Sequence, residues 1–342
     1  MKKASHVFQK IILIEYLTRR NRLSKEDYPE DILNSLEDYN IDIRDFLPGH
    51  GGGAKLLLDF NRIKGIEQYE GIILRGKEIP NGIVADVIIK EGTKIDEPVH
   101  LCFGVNKETG VQEIFPRIIA EDNTDVKVQA HCSFPNANGL IHKMYGHFYI
   151  GKNCNFTYTE THYHGENSGA LVAPVGYMYV GENSIFENVF NLTKGTPGKV
   201  KIMLDIYAME NSVIRSNVKA FGKNKNDSVR IRDAIYLEGQ NASSVLKMKA
   251  AAKDGGEVLM YGITEGNAPY CNGHVECSEI VLGKGSICRA RPFIRATDPT
   301  SSVSHEASLG RFPQKWLDEI MAKGLTEEEA TEILIEAMLG EE

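Results

Sequence analysis

A membrane-length apolar run, paired metal-binding cysteines and a nucleotide loop are all missing from this 342-residue chain, and each gap excludes a class of function. No stretch approaches the roughly 20 apolar residues needed to cross a bilayer. The patch Ile11-Ile-Leu-Ile14 is too short for a secretory leader and is followed by Arg19-Arg20, so a cytoplasmic location is expected. The six cysteines (102, 132, 154, 271, 277 and 288) form no Cys-x-x-Cys pair, which argues against zinc ribbons and thioredoxin-like redox centres. Basic residues are in the minority, 39 against 47 acidic, and the net charge of −8 makes nucleic acid an unsuitable main partner. Pro48-Gly-His-Gly-Gly-Gly53 invites a phosphate-loop reading, but no Gly-Lys pair in the chain is followed by Ser or Thr. Any nucleotide chemistry must then come from a partner, with none bound directly.

What is present is a change of rhythm along the chain. Val7, Ile11, Ile14 and Leu17, then Ile32, Leu33 and Leu36, recur at helical spacing, and short apolar runs separated by Gly, Asn and Asp begin near Leu56. Beyond Ile150, turn-forming pairs such as Asn153-Cys154, Asn167-Ser168, Asn183-Ser184, Asn211-Ser212 and Asn241-Ala242 recur. With the intervening pairs, the spacing is 13 to 16 residues. Strands of alternating character lie between them, for example Val213-Ile-Arg-Ser-Asn-Val218 and Val245-Leu-Lys-Met-Lys-Ala250. An even period without helices predicts a solenoid, in which each coil buries its apolar face only by stacking on its neighbours. The expected fold is therefore mainly β, a parallel β-helix. Residues 1–95 form an N-terminal helical and mixed α/β region, 96–303 the β-helix, and 304–342 a helical subdomain. In the last part Trp316, Leu317, Ile320 and Met321 share a face before Gly324. Thr326 with Glu329 makes a capping box for a second helix bearing Ala330, Ile333, Leu334, Ala337 and Met338.

Chemistry-bearing residues concentrate near the end: Cys277, Cys288, His305 and Glu306. A thiol, an imidazole and a carboxylate suit zinc, copper or iron–sulfur chemistry better than magnesium or calcium. Neighbours on an extended strand face opposite ways, so one of His305 and Glu306 faces such a metal within a chain; Glu306 is the favoured ligand. Cys271 and Cys288 are secondary candidates, and Cys102, Cys132 and Cys154 are candidates for an internal sulfur relay. Glu160-Thr-His162-Tyr-His164 puts three metal-capable side chains on one strand face. It supports either a hydrogen-bonded polar strand or a metal-dependent enzyme of β-helical or cupin type, although the cupin spacing is not met.

Four motifs, Gly273-His-Val-Glu-Cys277, Pro292-Phe-Ile294, Ser304-His-Glu-Ala-Ser308 and Lys323-Gly-Leu-Thr-Glu-Glu-Glu-Ala330, resemble the SufB/SufD family of iron–sulfur cluster assembly proteins. Weaker likeness runs upstream through Phe156-Thr-Tyr-Thr159 and Arg117-Ile-Ile-Ala-Glu121 to about Ile83. The resemblance implies a right-handed β-helix acting as a scaffold, non-enzymatic by itself, for a nascent iron–sulfur cluster. It implies an ABC-type ATPase (SufC-like) docked on the C-terminal helices through Trp316, Leu317, Ile320, Met321, Ile333 and Leu334. A second scaffold chain would pair through the β-helix, as a homodimer or heterodimer. By motif, Cys277 is the cluster or persulfide cysteine, and His305 and Glu306 the companion pair. The chain lacks the clustered N-terminal cysteines of some SufB proteins, which fits a single scaffold pairing with itself. A purely structural adaptor for the ATPase is the remaining alternative.

Overall fold

The computed structural model describes residues 54–166, 169–310 and 312–340. The helical patterns at 4–20 and 24–39, the glycine loop at 48–53 and the Asn167-Ser168 corner lie outside them. The chain first makes two hairpins, β1 (Lys55–Asp59) with β2 (Arg62–Glu67) and β3 (Ile72–Ile79) with β4 (Gly82–Ile89). Strands then alternate between two sheets: β5 (Val99–Gly104), β6 (Gly110–Ala120), β7 (Asp125–Phe134), β8 (Asn138–Ile150), β9 (Asn155–His164) and β10 (Gly169–Val180). They continue as β11 (Ile185–Lys194), β12 (Lys199–Ala208), β13 (Val213–Gly222), β14 (Ser228–Leu237) and β15 (Ser243–Ala252). The last are β16 (Glu257–Gly266), β17 (Asn272–Val281), β18 (Ile287–Ala296) and β19 (Ser302–Gly310). Odd strands pair in parallel from β5 to β19 and even strands from β4 to β18, so the chain is a β-solenoid.

The corners explain the period. Asn123, Asn153, Asn183, Asn211 and Asn241 all have positive φ, a backbone that Asn tolerates better than most residues with a Cβ. Their amides stack, Asn241 donating to Asn211 (3.0 Å) and Asn211 to Asn183 (3.1 Å). At several corners the residue that follows turns inward and donates to a carbonyl of the coil before it or of its own turn. Ser184 Oγ reaches Gly151 O (2.7 Å), Ser212 Oγ reaches Met209 O (2.6 Å) and Ser301 Oγ reaches Ala268 O (2.7 Å). Cys154 and Cys271 hold the same corner position, their thiols donating to Glu121 O (3.2 Å) and Gly239 O (3.3 Å). Where a corner passes closest to its neighbour, Gly195 (φ +70°) is required: a Cβ there would collide with the His164 carbonyl.

Between corners, side chains alternate inward and outward, and the inward rows of Phe103, Phe134, Phe148, Phe156 and Phe186 with Val, Ile and Leu form one continuous core. Each such side chain contributes on the order of 1.5–3 kcal/mol when buried. One coil has too few of them to stand alone, so stability comes from stacking. The expected line at residue 96 meets no break: β1 pairs with β5 and β4 with β6, continuing the same ladders. The line at 304 falls inside β19, which pairs with β17 along its length.

Two helices follow, α1 (Gln314–Met321) and α2 (Glu327–Leu339). The capping box forms: Thr326 N–H donates to Glu329 Oε2 (2.8 Å) and Glu329 N–H to Thr326 Oγ1 (3.2 Å). Ile335 and Leu339 pack on Phe221 and Ala251. Lys249 and Lys219 donate to the Met338 and Gly340 carbonyls at the helix C-terminus, where cations are favoured. The expected face is thereby rotated, since Ile333 is 42% exposed while Ile335 and Leu339 are buried. Among the described residues no helix is long and apolar enough to cross a membrane.

Candidate functional site

Among the described residues, two places in the solenoid bring thiol and carboxylate together, and only the second has three donor atoms within 4.8 Å of one another. The first is the last coil. On β17 the inward residues are Val275, Cys277 and Glu279, all buried. Burial pushes the Cys277 thiol up to about 11, with the negative charges of Glu279 and Glu276 adding to it. Cys288 on β18 is pushed up to about 12, by burial first and then by Glu279, partly offset by a hydrogen bond from the Ile280 backbone. Glu279 itself is raised by burial, an effect eased by the Ala290 N–H that donates to its Oε1 (2.6 Å). A carboxylate thus stands where it acts on both thiols, a grouping the sequence reading missed because Glu279 was not among its candidates.

Over this group lies β19, the terminal strand of its sheet, with an exposed or half-buried residue at every position. Register sets what it presents. Ala307 is opposite Cys277, His305 opposite Val275 and Glu306 opposite Glu276. His305 therefore shares the face of Cys277, and Glu306 the outer face, where Lys247 pairs with Glu276 (3.1 Å). Ser308 Oγ donates to the Cys277 carbonyl (3.4 Å), and His274 Nδ1 meets Ser304 Oγ (2.9 Å). Cys271 is not part of the group, its thiol being committed to the corner.

The second place is inside the solenoid. Glu160, His162 and His164 of β9 all face inward and are buried, as the strand parity requires. Cys132 on β7 is opposite His162. Glu160 Oε1 takes a 2.7 Å hydrogen bond from His162 Nε2 and faces Cys132 Sγ at 3.9 Å, while Tyr158 O–H donates to Oε2 (2.9 Å). Burial, and then the Glu160 charge, holds the Cys132 thiol well above its ordinary value. Phe134 closes the group, its ring 5.0 Å from His142, 6.0 Å from His162 and 5.2 Å from His164. The neighbouring cavity is only about 20 Å³. Both imidazoles are enclosed, His162 and His164 being 0% and 2% exposed. Cys102 is buried and pushed up to about 12, and Cys154 is held at its corner.

On the helical tail, Trp316, Met321 and Ile333 are exposed, Ile320 and Leu334 are half-buried, and Leu317 is buried. The expected docking residues are therefore divided between a free face and the protein's own packing.

Residues 105–338 match the family described as SUF system FeS cluster assembly, SufBD core domain. An iron–sulfur cluster assembly SufBD family protein of Methanocaldococcus jannaschii is 38% identical over 292 residues, 85% of this chain and 92% of the relative. One from Pyrococcus horikoshii is 34% identical over 290 residues, 84% and 87% of the two chains. One from Staphylococcus saprophyticus is 24% identical over 255 residues, 73% and 53%.

Proposed function

This chain belongs to the SufBD family of iron–sulfur cluster assembly proteins, and from that premise we propose that it is a scaffold on which a cluster is built at its last coil. The observation that carries the reading is the Cys277–Glu279–Cys288 group, roofed by a single edge strand that brings His305 to the same face. Iron and sulfide are the cargo. Both thiols hold their protons at neutral pH, since burial and Glu279 oppose thiolate, so arriving Fe(II) must displace them. Sulfur from two thiols with oxygen or nitrogen from Glu279 and His305 would grip a cluster less firmly than four thiolates, as release requires. In this reading Glu306, on the outer face, contacts a second scaffold chain, of this kind or another.

The chain does not catalyse on its own in this reading. An ABC-type ATPase supplies the energy, docked on the face of α1 and α2 that leaves Trp316, Met321 and Ile333 exposed. Its motion shifts the population in which β19 stands clear of Cys277. The test is anaerobic reconstitution with iron and sulfide. Cys277→Ser is expected to lose most of the bound cluster, and His305→Ala more than Glu306→Ala. A Cys277→Ser protein carrying as much cluster as the parent rejects the site.

A further inference from the structure

The interior group of β7 and β9 is unused by that reading and lies four strand steps from Cys277 in the sheet order β9-β11-β13-β15-β17. Donor atoms of Cys132, Glu160 and His162 all lie within 4.8 Å of one another, and the residues are 0%, 6% and 0% exposed. A four-coordinate site with metal–ligand bonds of about 2.0–2.3 Å spaces its donors roughly 3.3–3.8 Å apart. The three side chains are thus within a small rotation of closing on one ion.

Without an ion the group is poorly satisfied. Thiol and imidazole compete for the same carboxylate oxygen, the thiol reaching it only at 3.9 Å. His162 Nδ1, in a fully buried side chain, has no hydrogen-bond partner. An orphaned polar atom this deep calls for an explanation. A dication supplies one. Thiolate and carboxylate together cancel its two charges, His162 ligates as neutral imidazole, and the core carries no net charge. The cavity of about 20 Å³ that Glu160 and Tyr158 help to line has room for one water beside the carboxylate.

We propose that Cys132, Glu160 and His162 hold a single divalent cation of the zinc or ferrous class inside the solenoid. One sulfur, one oxygen and one nitrogen donor suit such a borderline ion and disfavour magnesium or calcium. The ion releases the thiol proton on binding and crosslinks β7 to β9. Because the group is enclosed, it loads as the chain folds and is retained afterwards. The site does not depend on the scaffold reading, whose cluster chemistry is tested separately at Cys277.

The experiment uses the full chain expressed in cobalt-supplemented medium and dialysed against EDTA, with metal content and absorption measured. About one cobalt per chain, with a thiolate-to-cobalt charge-transfer band, is expected. Cys132→Ala should lose the band and the ion while Cys277→Ala keeps both, with circular dichroism confirming that each is folded. His162→Gln provides a second folded variant should Cys132→Ala not fold, and it should also lose the ion. Folded parent protein retaining no cobalt overturns the proposal. So does a band that survives Cys132→Ala, survives His162→Gln with its ion retained, or vanishes in Cys277→Ala.

Discussion

The middle of the solenoid and its last coil use the same spatial relation. Glu160 stands on the next strand opposite the residue two before Cys132, and His305 stands on the next strand opposite the residue two before Cys277. What differs is the surroundings. Cys132 has Phe103 on one side and His162 on the other, with further coils beyond each. Cys277 has Met248 on one side and only the edge strand β19 on the other. Chemistry of one kind is sealed in the first place and thinly covered in the second, so position along the stack decides which can exchange its contents.

The contrast is most sharply tested by packing. Phe134→Ala, which empties the space against three imidazoles, is expected to cost about 3–5 kcal/mol. Leu309→Ala on β19, where the side chain is 69% exposed, should cost about 0.5 kcal/mol or less. Similar losses in urea unfolding would mean that the last coil is as closed as the middle.

Sealing also has an electrostatic consequence. Burial pushes the Asp233 carboxyl up to about 6, against the pull of its Ser216 hydrogen bond and of Arg232 and with a smaller push from Asp205. Below about pH 4 this costs nothing, because the unfolded chain is protonated too. As pH rises to about 6 the unfolded chain ionises first, and the folded state loses about 3 kcal/mol. Asp233→Asn should therefore gain stability relative to the parent over that interval, then hold a constant difference. A difference that does not change with pH would show that Asp233 is not sealed.

The smallest expected effect is kinetic. All six thiols are buried, so alkylation reads local opening. Cys277 and Cys288 should label at least about tenfold faster than Cys132 and Cys102, a difference of about 1.4 kcal/mol in opening. Equal rates would remove the distinction between a closed middle and a yielding end.

The solenoid was legible because its signal is local: Asn at a left-handed corner, then a small inward residue, repeated. That signal also held the answer for Cys154 and Cys271, which stand where Ser184, Ser212 and Ser301 stand and do the same work. The partners of Cys132 and Cys277 were not legible. Successive Asn corners from Asn123 to Asn241 are separated by 30, 30, 28 and 30 residues, and an odd change of register would move every side chain to the other face. Only the observed pairing shows that His305, opposite Val275, shares the face of Cys277 while Glu306 lies on the other. Glu279 escaped notice because one carboxylate between two cysteines carries no motif. The face of α2 was ambiguous because Ile333, Leu334, Ile335, Met338 and Leu339 surround most of the helix, and only contact with Phe221 and Ala251 selects among them.

Parallel strands stack at a fixed pitch, so the four steps from β9 to β17 set roughly 19 Å between the enclosed and the terminal ligand groups. That interval behaves like the marks on a ruler. Deleting or duplicating one whole coil would move the two groups by a single notch while leaving each intact, whereas no point substitution could alter the spacing.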